Sequence, residues 1–400
     1  MRLNLTLTST LLSTLGIACG GDDGAGGTEL ADTSGGRGSA DSTGNPVPLP
    51  PTVSEIGSVG LGFEPRAIIP VDVDGDGMQD LVVVHQASTD QLQILLADGA
   101  GGVAAPIVIG TDGPLAGAAA GDLDGDGNVD LALMLESANA VAVAVGDGAG
   151  GFTVGTPMAL DGFAGEIAVA DMNGDAALDI VASVRAMGGG GGSIVWVSGP
   201  DLSAIEEVAS FEAAPQTLVI DDFDGDGAPD IAATLGEALS AALVRGDGGG
   251  GFTPTPMVSA GVWLGSAASI DLAGGDTRQL VAASLIDEAI AVFSADASGF
   301  GDPEVIASPG GPFGLTVMDL DVDGNDDIVV SAVTTSEVSV HVGTGAALAS
   351  GQLVLGLPAA QRLGALTPVA LGASGRPALA LLERGTVDVP GTLHLLSSSP

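Results

Sequence analysis

The chain of 400 residues carries 51 acidic and 9 basic side chains, a formal charge of −42, and 46% hydrophobic residues. The charge disfavours nucleic acid and anionic lipid surfaces as partners, because like charges repel. The hydrophobic share still supplies a large core. All the basic residues are arginines, so Schiff-base chemistry on a lysine is excluded.

Residues 1–18 open with Arg2 and an apolar stretch broken by Ser and Thr, and lead through GIAC into the single cysteine, Cys19. This resembles a bacterial lipoprotein signal, in which cleavage before the cysteine is coupled to its lipidation. Gly16 stands where such signals prefer Leu. An ordinary secretory peptide with an incidental cysteine is the alternative. No other hydrophobic run is long enough to span a bilayer. Membrane attachment is therefore expected through Cys19 alone, placing the protein in the bacterial cell envelope at the outer membrane or cell surface. From Gly20 to Pro51 the composition turns to Gly, Ser, Thr, Asp and Pro without hydrophobic periodicity. That is a flexible tether with a root-mean-square span of roughly 30 Å. Residues 19–51 are read as anchor and linker, and 52–400 as the folded domain.

From residue 72 onward an acidic loop recurs every 48 to 51 residues, starting at Asp72, Asp122, Asp171, Asp222, Asp271, Asp319 and Ala370. So regular a period marks one supersecondary unit repeated seven times. Five copies, DVDGDGMQD, DLDGDGNVD, DMNGDAALD, DFDGDGAPD and DLDVDGNDD, carry nearly the full set of carboxylates; DLAGGDTRQ from Asp271 and ALGASGRPA from Ala370 have lost most of theirs, and no metal is expected there.

Side chains at alternate positions of such a loop converge on one hard cation, and calcium takes six to eight oxygens. The candidate ligands are Asp72, Asp74, Asp76 and Asp80 with the Met78 carbonyl, then Asp122, Asp124, Asp126 and Asp130 with that of Asn128. The third set is Asp171, Asn173, Asp175 and Asp179 with Ala177; the fourth Asp222, Asp224, Asp226 and Asp230 with Ala228; the fifth Asp319, Asp321, Asp323 and Asp327 with Asn325. Up to five calcium ions are expected. The sixth loop position is Gly77, Gly127, Gly227 and Gly324, which tolerate positive φ, whereas Ala176 makes the third loop strained or weaker. An EF-hand opens with the same pattern but needs a bidentate Glu at its twelfth position and an exit helix. Here that position holds Val83, Leu133, Ala182, Ala233 and Val330, each inside a short β-type run.

About 25 residues into a repeat comes a Gly-rich turn, GDGAGGF at 146–152 and GDGGGGF at 246–252, with looser copies at 97 and 294. No helix pattern follows these turns, which argues against a phosphate loop. One repeat thus comprises an inner strand, the Asp loop, a second strand, a third such as 141–146, the Gly-rich turn, and a fourth such as 152–160. Four short strands per unit make a propeller blade, and the chain is expected to be all-β, a seven-bladed β-propeller with four-stranded blades. The seventh repeat runs out after its third strand at 391–396, while 52–60 precedes the first inner strand and has no blade of its own. Strand 52–60 should therefore complete blade 7 and close the ring, removing an exposed sheet edge.

These loops, the GDGxGGF turn and the phrase SEVSVHVGTG at 336–345 resemble the FG-GAP/VCBS-type repeats of integrin α-subunit heads and many bacterial surface proteins. The resemblance covers about residues 52–400. It implies calcium bound between the first and second strands of a blade, on one face of a seven-bladed propeller. Asn173, Ala176 and Val322 are the departures among the five loops.

Catalysis finds little support. His85, His341 and His394 lie in separate repeats within strand-like runs, without a nucleophile–base arrangement around them. The expected function is a monomeric, lipid-anchored, calcium-binding module for an extracellular protein or glycan, and not an enzyme. The alternatives are a lyase-like propeller acting on polysaccharide, with Arg66, Arg185 and Arg278 among its candidate residues, and a structural spacer. The RGD at 245–247 is read as coincidental, because the sister repeat has VGD there.

Overall fold

The computed structural model describes residues 52–399 apart from 62–64, 86–90, 112, 273–276, 346, 350, 357–361, 371–377 and 385–390. The signal sequence, Cys19 and the tether lie outside the described residues, as does most of the degenerate loop from Ala370.

Seven antiparallel sheets account for the described strands. Blade 1 is built from Pro65–Val71, Asp80–His85, Gln91–Leu95 and Ile107–Gly110 in that order. Blade 2 opens with Leu115–Gly121, Asp130–Leu135 and Ala140–Gly146. Blade 3 comprises Phe163–Ala170, Asp179–Arg185, Gly192–Val197 and Glu206–Phe211, and blade 4 opens with Thr217–Asp221, Asp230–Leu235 and Ser240–Gly246. Blades 5 and 6 start at Ala267–Ile270 and Pro312–Met318. Among the described residues the helical content is a single 3-10 turn, Gly236–Ala238.

In blades 2 and 4 the fourth strand differs from the expected continuous run. Phe152–Val154 and Met158–Ala159 pair separately with Ala140–Gly146, and Phe252–Pro254 and Val258–Ser259 do the same with Ser240–Gly246. Pro157 in one blade and Pro254 and Pro256 in the other lack the N–H that a continuous ladder needs.

Ring closure follows the sequence expectation. Thr52–Leu61 pairs antiparallel with Gly391–Ser399 and completes a sheet with Ala378–Arg384 and Arg362–Val369, so blade 7 takes three strands from one end of the chain and one from the other. His394 sits between the two neighbouring strands, its Nδ1 2.9 Å from Glu55 Oε1 and its Nε2 3.2 Å from Glu383 Oε2. The innermost strand of each blade lies against that of the next, and the inner strand of blade 7 lies against Pro65–Val71 of blade 1.

Both faces of every blade are covered, which explains why the second strands are apolar throughout. Successive side chains of a strand point to opposite faces. Leu81 and Val83 accordingly join Leu393, Leu395 and Leu61 in the seam with blade 7, while Val82 and Val84 join Leu131 and Leu133 in the seam with blade 2. Similar clusters fill the remaining seams. Because strands alternate in direction, the loop after the first strand and the turn after the third emerge on the same face. The Asp loops and the Gly-rich turns therefore meet there, away from the connections between blades.

Candidate metal centres

Each Asp loop is organised by its own carboxylates. The first Asp of the loop accepts two backbone N–H groups from across the turn. Asp72 takes those of Gly75 and Gly77 at 2.8 and 2.9 Å, and Asp122 those of Gly125 and Gly127 at 2.8 and 3.0 Å. Asp222 is held in the same way by Gly225 and Gly227, Asp171 by Gly174 and Ala176, and Asp319 by Asp323 and Gly324. The third-position side chains of Asp74, Asp124, Asn173, Asp224 and Asp321 accept the N–H of the fifth residue. The fifth-position carboxylates of Asp76, Asp126, Asp175, Asp226 and Asp323 in turn accept the N–H groups of Met78, Asn128, Ala177, Ala228 and Asn325 at 2.8–2.9 Å. These are Asx turns, which make a tight loop without regular secondary structure.

The ninth-position Asp does more than close the loop. Asp80 accepts the N–H of Val73 at 2.9 Å with one oxygen and that of Ala97, beyond the third strand, at 2.7 Å with the other. Asp130 does the same for Leu123 and Gly146, Asp179 for Met172 and Gly199, Asp230 for Phe223 and Gly246, and Asp327 for Leu320 and Gly343. All five are buried. This clip ties the Asp loop to the third strand. It explains the first glycine of the GDG turns, whose role beyond turning was not apparent from sequence. A Cβ on Gly146, Gly246 or Gly343 would lie 2.1 Å from the carbonyl oxygen of Val129, Pro229 or Asp326.

Four groups of carboxylates have oxygens within 4.8 Å of one another: Asp72, Asp74 and Asp80; Asp122, Asp124 and Asp130; Asp222, Asp224 and Asp230; Asp319, Asp321 and Asp327. These four Asp clusters can hold metal ions. The structure thus gathers the first, third and ninth positions and leaves Asp76, Asp126, Asp226 and Asp323 outside those groups. In the third loop Asn173 replaces the middle carboxylate, and its Nδ2 lies 3.3 Å from Ser198 Oγ.

The donor set suits a hard divalent cation, because without one these carboxylates are both desolvated and mutually repelling. Burial, reinforced by Asp224, raises Asp230 to about 6, and burial, reinforced by Asp321, raises Asp327 to about 6. Burial likewise raises Asp80, and Asp321 rises through burial and the neighbouring charge of Asp323.

Backbone strain sits where the sequence departs from glycine. Ala176 adopts φ 70°, as its place in the loop requires. Val322, at the fourth position where the other loops have Gly, adopts φ 63° and is 71% exposed. A β-branched residue in this region is strained.

The arginines and histidines weighed for catalysis are dispersed among separate partners. Arg66 lies 3.8 Å from Glu166, Arg185 stacks over Phe163, and Arg278 lies 3.8 Å from each of Asp221, Asp271 and Asp326. His341 is buried with its Nε2 3.2 Å from Ser308 Oγ, and burial lowers its pKa. In the RGD segment, Arg245 turns its guanidinium onto Asp224, while Asp247 accepts the N–H groups of Gly249 and Gly251 at 2.8 Å.

Residues 72–133, which take in the first two Asp loops, match the FG-GAP-like repeat family. No curated protein sequence matches the chain. Among solved structures, the chain is similar to BBS1N in its complex with ARL6DN, from a mercury-soaked crystal, with a TM-score of 0.62 at 12% identity over 87% of this chain and 97% of that one. A protein from Lactobacillus plantarum is similar with a TM-score of 0.52 at 17% identity, over 74% of this chain and 85% of that one. At such identities the likeness is one of fold.

Proposed function

We propose that this FG-GAP repeat propeller is a calcium-stabilised binding module held outside the bacterial cytoplasm by a lipidated Cys19. The observation that carries the calcium reading is the recurrence of one carboxylate trio in four loops at the same place in the blade. Oxygen-only donors on a loop that the backbone already preshapes favour a hard cation of calcium's size. Bound there, the ion supplies charge neutralisation. The first, third and ninth Asp would hold it, while the first also keeps the turn closed and the ninth clips the loop to the third strand. The ring thereby becomes a rigid platform.

No constellation of nucleophile and base in the described residues competes with a binding role. Lipidation rests on the residues around Cys19 and the Gly-, Ser- and Pro-containing tether that follows. An extracellular protein or glycan is the proposed partner class and a monomer the proposed state, since residual negative charge keeps copies apart and disfavours polyanions.

Extracellular calcium sites bind at about 10⁻⁴ to 10⁻³ M, so tenfold excess stabilises by about 1.4 kcal/mol per site. Full-length mature protein should therefore melt many degrees higher in millimolar calcium than in chelator, and identical melting curves would overturn the calcium reading.

A further inference from the structure

Blades 2 and 4 offer the same loop and differ in one neighbour. Val145 pairs with Thr153 and Arg245 with Thr253, and each immediately precedes the glycine whose N–H reaches the ninth Asp of its own loop. The two side chains therefore occupy equivalent places beside equivalent carboxylates. In blade 2 the place is held by an apolar side chain and Asp124 is exposed. In blade 4 the Arg245 Nε donates to Asp224 Oδ2, Nη2 lies 3.6 Å from Asp226 Oδ2, and Nη1 donates to the Ala297 carbonyl at 3.2 Å. The Asp224 side chain is left only 1% exposed, although the residue as a whole is half-buried.

We infer that blade 4 carries its own cation: the Arg245 guanidinium takes the place a divalent ion takes in blades 1, 2 and 6, and keeps calcium out of the Asp222 loop. The inference rests on the calcium reading above and narrows it to particular loops. Guanidinium is a permanent cation with no acceptor to offer a metal. It engages the middle carboxylate of the trio, so an incoming ion would have to displace it while meeting its positive charge at close range. Its third anchor lies in the turn after the third strand of blade 5, so the arginine also ties two blades together, which an ion confined to one loop does not.

Blade 5 carries the same replacement further. Its loop has Arg278 next to the ninth position and Gln279 at it. The Gln279 Oε1 accepts the Leu272 N–H at 3.0 Å, as Asp230 accepts that of Phe223, so the clip to the second position survives the change of side chain. Arg278 meanwhile spans Asp221 of blade 4, Asp271 of blade 5 and Asp326 of blade 6. Adjacent blades 4 and 5 thus form a sector neutralised from within, while blades 1, 2 and 6 depend on metal.

Counting bound calcium by equilibrium dialysis on the full-length mature protein tests this. Arg245→Val should take up one ion more per chain than the parent, and Val145→Arg one fewer. An unchanged count in Arg245→Val, with the parent still binding, overturns the inference and leaves the calcium reading intact. If Arg245→Val does not fold, Val145→Arg decides alone, and an unchanged count there has the same consequence. A parent that binds no calcium removes the calcium reading and this inference together.

Discussion

Blades 2 and 4 lie 100 residues apart and repeat each other closely, DLDGDGNVD with GDGAGGF against DFDGDGAPD with GDGGGGF. Both fold their loop with the same Asx turns, and both bury a ninth Asp that clips the loop to the third strand. They part at Val145 and Arg245. The difference separates two properties that the repeat presents as one. The clip is shared, because it uses backbone N–H groups that blades 1, 2, 3, 4 and 6 all offer. On the inference drawn above, ion occupancy is set by a residue outside the loop, 21 positions beyond Asp224.

The shared part of the comparison can be broken most forcefully at the glycines. Gly146→Ala and Gly246→Ala should each cost about 1–3 kcal/mol, since the new Cβ would lie 2.1 Å from the carbonyl oxygen of Val129 or Pro229 and the strand must shift to relieve it, weakening the contact of its N–H with the buried carboxylate. Urea unfolding should give similar losses in the two variants. A loss confined to one blade would show that the clip is not common to both.

The middle carboxylate probes the part that differs. Asp124→Asn should remove about 1.4 kcal/mol of calcium-dependent stabilisation and leave the chelated protein nearly unchanged. Asp224→Asn should instead cost the chelated protein about 1–3 kcal/mol through the lost charged hydrogen bond, with the calcium response preserved. Melting each variant in chelator and in calcium distinguishes them. The same response in both would erase the distinction between the blades.

Titration sharpens the contrast. Asp230 and Asp327 rise from 3.8 to about 6 on folding, so between those values the folded chain binds more protons than the unfolded one. Stability of the chelated protein should therefore fall by several degrees in melting temperature as pH rises from about 4 to about 6. Calcium should remove the share due to Asp327 and leave that of Asp230, whose loop holds Arg245. Melting curves across this range check the point; a rise in stability over the same interval without metal would contradict it.

The smallest effect concerns strain. Blades 2 and 4 have glycine at both positive-φ loop positions, whereas Ala176 and Val322 do not. Ala176→Gly and Val322→Gly should raise stability by a few tenths to about 1 kcal/mol, with the larger gain at the β-branched residue. Thermal unfolding that shows no gain at Val322 would mean the loop already absorbs its strained conformation.

Much of the architecture could be read from the chain. The spacing of the Asp loops gave the number of blades, and the missing fourth strand of the last repeat pointed to residues 52–60 as the closing strand, which the pairing with Gly391–Ser399 bears out. Fourth strands were less legible, since proline removes ladder donors without removing the hydrophobic pattern that suggests a strand. The candidate site was legible as a set of residue types but not as a geometry. Alternate Asp residues suggested that the first, third, fifth and ninth carboxylates act together; the structure brings oxygens of the first, third and ninth within 4.8 Å of one another, while the fifth accepts the N–H of the seventh residue.

What the sequence by itself determined is the local chemistry repeated along it: carboxylates close enough in the chain to shape a turn, glycines where the turn needs positive φ, and apolar strands long enough to fill a seam. These depend on neighbours within a few residues, so a one-dimensional pattern records them. The tertiary structure alone decided which carboxylates share a centre, which glycine lies against a carbonyl of another segment, and where a guanidinium meets an Asp loop. Those outcomes depend on segments made adjacent by sheet pairing and by packing of one blade on the next. Arg245 is the clearest case, since its register on the third strand of blade 4 sets it beside Asp224, and the neighbouring blade supplies its third anchor.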